Sequence, residues 1–175
     1  MTIVVKEIKP ARFKSEAFTH AITAAANKAA KDIEKDFKAT TKTWKHKPKF
    51  IKMVDTKTSP VQVLVATDDE IYGYVSGGTK PHPIYAGIYT GKSNKKALSF
   101  RWGGKGSYRA KTRPGVIGSK GGGPSGPMVA FPYVQHPGTK ARNFDKTIQK
   151  KWEPRFKRLI EQAMSIGSKN SGHSI

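Results

Sequence analysis

Two phrases decide how this sequence is read: Tyr74-Val75-Ser76-Gly77-Gly78-Thr79-Lys80-Pro81-His82-Pro83 and Val134-Gln135-His136-Pro137-Gly138-Thr139-Lys140-Ala141-Arg142-Asn143-Phe144. Both hold a Gly-Thr step next to a histidine and a proline. Glycine allows a turn with positive φ, and the hydroxyl beside it can cap that turn or a following helix. The phrases bracket Ile71 to Phe144, which holds twelve Lys or Arg and no Asp or Glu. A one-signed field of this size repels itself. It calls for an acidic partner, a neighbouring subunit or solvent to offset it.

Outward from that stretch, the whole chain of 175 residues carries a formal charge of +21. The length suits one domain with a real core. An apolar fraction of 36% with 17 Gly and 11 Pro leaves part of it as extended loop or arm. The charge predicts adhesion to polyanions unless assembly buries it. The absence of cysteine excludes disulfides, thiolate nucleophiles and cysteine-based zinc sites. No apolar run approaches the roughly 20 residues that cross a bilayer, and Met1 to Pro10 is too short and too charged for a signal peptide. We expect a soluble protein made in the cytoplasm, with no membrane contact.

Thr2 to Ile8 reads as a short strand or an arm that pairs elsewhere. From Arg12 to about Ala39, the apolar positions Phe18, Ile22, Ala25, Ala29, Ile33 and Phe37 draw one helical stripe. Thr40 to Lys49 is a basic loop. Phe50 to Val54, Val61 to Thr67 and Glu70 to Ser76 read as three strands, with a tight hairpin at Asp68-Asp69. Pro81-His82-Pro83 is expected to stop the third. Ala97 to Trp102 reads as a further strand, and Met128 to Val134 as the last, confined by Pro132 to an edge or a bulge. Asn143 is placed to cap a helix from Phe144 to about Ile166, bent or divided at Pro154. The expected core is Phe18, Ile22, Ile33, Val63, Val65, Tyr74, Phe100, Ile148, Trp152 and Phe156.

The fold class is therefore α+β. A mixed or antiparallel sheet of four to six strands is flanked by a long N-terminal helix and a C-terminal helix. Residues 1–166 form a single domain and 167–175 a disordered tail. Within that domain, residues 103–127 carry nine glycines, three prolines, five basic residues and no acid. They are expected to form a flexible basic loop.

Catalytic chemistry finds little support. Gly103-Gly104-Lys105-Gly106 and Gly121-Gly122-Gly123 lack the spacing and terminal Lys-Ser/Thr of a phosphate-binding loop. A metal-dependent nuclease needs carboxylates that the basic stretch does not have. His82 and His136 could serve as an acid–base pair, as in metal-free ribonucleases. Their prolines favour structural turns in which each imidazole satisfies a local carbonyl. His20, His46 and His173 share no metal spacing. We expect no enzyme, no cofactor and no metal. Arg101, Lys105, Arg109, Lys111, Arg113 and Lys120, interleaved with Trp102 and Tyr108, are the expected contact for an acidic protein face or for nucleic acid. No helix-turn-helix, zinc finger or RNP signature accompanies them.

The order of elements resembles the neck and tail-completion family of long-tailed bacteriophages, the head–tail joining or minor tail components. The resemblance rests on Tyr74…Gly78-Thr79…His82…Ile84, on Ala97-Leu98-Ser99-Phe100, and on His136-Pro137-Gly138-Thr139-Lys140-Ala141…Phe144. It spans roughly residues 16–163. Two features depart from the family pattern: the 103–127 loop is longer and more basic, and Asn143 stands where proline is common. The resemblance implies a structural virion protein assembled in the host cytoplasm. It would form a homo-oligomeric ring, sixfold or twelvefold, at the neck or top of the tail. Its neighbours would be the head connector, the tail terminator or tube proteins, and DNA in the channel. Gly78, Thr79, His82, His136, Gly138 and Thr139 would be motif turns. The competing reading is a small basic nucleic-acid-binding protein or metal-free nuclease.

Overall fold

A computed structural model of the chain describes residues 14–104 and 108–172. The strand or arm expected at Thr2 to Ile8 and the residues 173–175 lie outside them. The fold is α+β, with a long N-terminal helix α1 (Ser15–Thr40) packed together with a long C-terminal helix α3 (Phe144–Asn170). The intervening strands are β1 (Ile51–Asp55), β2 (Gln62–Ala66), β3 (His82–Tyr85), β4 (Leu98–Arg101), β5 (Tyr108–Arg109), β6 (Gly123–Pro124), β7 (Met128–Phe131) and β8 (Tyr133–His136). They do not merge into the expected sheet of four to six strands. They form separate two-stranded ladders, β1 with β2, β3 with β8, β4 with β7 and β5 with β6.

One reason lies at residues 70–77, where the expected third strand is a helix, α2 (Glu70–Gly77). Asp69 is its N-cap rather than a hairpin residue, and its Oδ1 accepts the Tyr72 amide at 2.7 Å. A carboxylate there takes up one of the free amides of a first turn and complements the helix dipole. The buried residues of α2 are Tyr72 and Ser76, one helical turn apart. Tyr74, expected in the core, is 57% exposed on the other side. Pro81-His82-Pro83 does not end a strand either; β3 begins at His82. Pro132 does break the last strand, dividing it into β7 and β8.

The chain forms two compact units. The first takes α1 up to Ile33, residues 52–65, and α3 from Lys151 onward. Its buried residues include Ala26, Ala29, Ala30, Trp152 and Ala163. Alanines dominate because a helix without bulk lets its partner come close. Phe18, Ile22 and Ile33, expected in the core, are only half-buried. Gly167 shows the same closeness: a Cβ there would stand 2.9 Å from the Cα of Phe18. The helix runs on to Asn170, with Ser168 and Ser171 buried, so the frayed tail does not begin at residue 167. Pro154 lies inside α3 without dividing it.

The second unit takes residues 34–51 and 66–150. Its centre is Tyr72. The rings of Phe50, Phe144, Trp44 and Phe37 surround it at centroid distances of 5.3, 5.5, 6.1 and 6.2 Å. Tilted and edge-on rings at such spacings add attraction beyond area burial. Ile148, one turn along from Phe144, is 2% exposed and extends the cluster along α3.

Candidate functional site

The two Gly-Thr phrases are partners. Thr79 donates its amide to the Thr139 carbonyl at 2.9 Å, and Thr139 returns the bond to the Thr79 carbonyl at 3.1 Å. The Thr139 amide also lies 2.9 Å from the Thr79 hydroxyl. Gly78 and Gly138 hold φ of 79° and 86°, where a Cβ is disfavoured. A Cβ on Gly78 would come within 2.7 Å of the Thr139 carbonyl oxygen, and one on Gly138 would run into that of Thr79. Glycine is needed twice over, for the turn and for the close approach of two backbones.

From this bridge the strands β3 and β8 run antiparallel, with His82 opposite His136 and Tyr85 opposite Tyr133. The imidazole centroids are 5.2 Å apart. His82 Nδ1 donates to the Lys80 carbonyl at 2.8 Å, which leaves Nε2 as the acceptor of the neutral ring. His136 is wired the opposite way and meets an amide, not the expected carbonyl: its Nδ1 accepts the Gly138 N–H at 3.0 Å, which puts the ring proton on Nε2. Each histidine therefore serves a local turn. An acid–base exchange through both Nε2 atoms would require His136 to give up its bond to Gly138.

The end of the second phrase wraps the end of α2. Val75 and Ser76 offer their carbonyls to Arg142, and Ser76 also to Asn143 at 2.9 Å. The Ser76 hydroxyl accepts the Phe144 amide at 3.1 Å. Asn143 holds a left-handed φ of 51° and gives its carbonyl to the Thr147 amide at 3.0 Å. The side-chain oxygen at the start of α3 thus comes from Ser76, not from Asn143 as expected. Nothing local in the sequence could have signalled it.

The basic residues singled out for contact are spread along their loop. Arg101 is exposed at the end of β4, and its Nη1 donates to the Gly126 carbonyl at 3.3 Å. Arg109 is exposed in β5, opposite Gly123. Lys111 and Lys120 meet through their backbones at 2.9 Å, while Arg113 and Lys120 are exposed. Lys105 lies outside the described residues. The loop is tied down at two further points. Ser119 Oγ accepts the Thr43 amide at 3.2 Å and donates to the Ala39 carbonyl at 3.4 Å, and Thr112 is buried. Tyr85, Tyr89, Pro132 and Tyr133, which the sequence did not single out, line a cleft beside β3 and β8.

Burial pushes the Tyr72 phenol well above its ordinary value, with the Thr40 hydroxyl acting against it. Asp69 is held below the usual carboxylate range by the His46 side chain first and then by the Tyr72 amide. Among the described residues, no cluster of three His, Asp or Glu is placed to hold a metal ion, and no helix is long and apolar enough to cross a membrane. No family model, curated protein or solved structure matches the chain.

Proposed function

We propose that this chain is a structural subunit of a tailed-phage virion, closing into a ring at the neck or top of the tail and joining head connector to tail tube. The observation that carries the reading is the reciprocal pairing of Thr79 with Thr139. The two phrases behind the resemblance, far apart in the chain, form one backbone unit that also anchors the start of α3. Such a unit fixes shape rather than reactivity, as suits a part that must stack on others.

Two further features support assembly. Two-stranded ladders are marginal alone and leave edge amides and carbonyls open to a neighbour's strand. Met53 of β1 and Leu64 of β2 are each more than half exposed, apolar area that association would cover. The opposed wiring of His82 and His136 supports a turn role over acid–base catalysis.

In this reading the residues 103–127 are an assembly loop. Arg101, Lys105, Arg109, Lys111, Arg113 and Lys120 pair with acidic faces of adjacent rings or with channel DNA. The test is a phage carrying Arg109→Gln, Lys111→Gln and Arg113→Gln together. Folding should be spared while particles accumulate as separate heads and tails. Normal joining by the triple variant would remove the loop from assembly. Cleavage of DNA or RNA by the purified protein, lost with His82→Ala and His136→Ala, would favour a metal-free nuclease instead.

A further inference from the structure

The β3–β8 ladder has two faces. His82 and His136 share one, and Tyr85 and Tyr133 the other, their rings 6.0 Å apart. Beyond the ladder the chain turns back on itself. The Ala86 amide donates to the Pro132 carbonyl at 2.9 Å, and the Tyr89 amide to the Ala86 carbonyl at 3.0 Å. That 3-10 turn (Gly87–Thr90) returns Tyr89 to the tyrosine face and closes a cleft of about 410 Å³ lined by Tyr85, Tyr89, Pro132 and Tyr133. Ala86, at the junction, is fully buried, so the turn is anchored. The three tyrosines remain 50, 64 and 57% exposed, in the order Tyr85, Tyr89, Tyr133. Aromatic surface left open in this way marks a place of contact.

Charge selects the occupant. The amide of Lys92 donates to the Gly87 carbonyl and that of Ile88 to the Lys95 carbonyl, both at 3.0 Å, which fixes two lysines beside the turn that carries Tyr89. The whole surrounding stretch, Ile71 to Phe144, has no acid. A second copy presenting the same face would bring like charge against like. An acidic peptide would answer the lysines but need not offer a ring to each tyrosine. Single-stranded nucleic acid offers both, since every base has a face to stack and every link a phosphate. We propose that this cleft stacks bases of single-stranded nucleic acid, with Lys92 and Lys95 taking the adjoining phosphates.

The test is fluorescence anisotropy of the full chain, as dilute subunits, with labelled oligothymidylate, a duplex of mixed sequence and polyglutamate. It reads binding whether or not the chain closes into a ring. Tyr89→Leu should weaken oligothymidylate binding roughly 5- to 100-fold. It should leave the duplex, polyglutamate and the thermal melt unchanged. The slope of log affinity against log salt should survive Tyr89→Leu and become shallower in Lys92→Gln/Lys95→Gln, because only phosphate contacts release counterions. Parental oligothymidylate affinity in Tyr89→Leu would overturn the site. So would an equal loss toward polyglutamate, which would reveal an acidic-protein surface.

Discussion

The hydroxyl of Ser76, at the end of α2, accepts the backbone amide of Phe144 at 3.1 Å and donates to Asp145 Oδ1 at 3.3 Å. One side chain thus opens a helix that begins 68 residues later in the sequence. Both Ser76 and Phe144 are buried, so water is poorly placed to substitute.

Ser76→Ala should therefore cost more than the loss of a surface hydroxyl. A missing helix cap together with a buried, unmatched amide is worth about 1–2 kcal/mol. Urea unfolding read by circular dichroism should show that loss with an unchanged slope. A variant as stable as the parent would place the anchor of α3 elsewhere.

Tyr72 separates packing from polarity. Tyr72→Ala should cost about 3–5 kcal/mol, because four rings lose a common neighbour. Tyr72→Phe should stay within about 1 kcal/mol of the parent, since the buried hydroxyl has no partner of ordinary geometry. The parent should also lose stability above pH ~10. There the unfolded phenol gives up its proton while the folded one, raised by burial, keeps it, so stability falls as pH rises. Tyr72→Phe should lose less over the same range, as measured by paired denaturant melts.

Asp69 gives the opposite sign at the acid end. Its folded pKa is lowered, so its contribution is present above the ordinary 3.8 and is lost as pH falls through the lowered value. Asp69→Asn should be less stable than the parent at neutral pH, and the difference should shrink in acid melts.

These predictions also mark what the sequence made legible. The helices α1 and α3 were readable because apolar residues three and four apart can satisfy only a helix. Ile148 and Trp152 are buried as that spacing required. Residues 70–77 misled because Ile71-Tyr72-Gly73-Tyr74-Val75 is rich in strand-favouring side chains, and Asp68-Asp69 suits a hairpin as well as a cap. The deciding contact, Tyr72 inside a ring of aromatics, comes from tertiary packing. The Gly-Thr phrases were visible as turns with polar neighbours, but strand pairing across the chain depends on geometry that no local pattern encodes. For the same reason Ser76 was hidden as a cap, and the tyrosine cleft emerged only once β3 lay against β8.

The turn glycines should differ in kind. Gly91 has φ of 67° and open space around it, so Gly91→Ala should cost only the backbone term of about 1–2 kcal/mol. Gly138→Ala adds a collision with the Thr79 carbonyl and should cost more, disrupting the bridge between the two phrases. Amide exchange at Thr79 and Thr139 should quicken in Gly138→Ala and remain slow in Gly91→Ala.

The central claim is assembly into a ring, and size-exclusion chromatography with light scattering on the purified chain, with and without DNA, tests it most directly. The account predicts a discrete closed oligomer that grows in with protein concentration in the absence of DNA. A chain that stays monomeric across the concentration series, and changes mass only when nucleic acid is added, would contradict it.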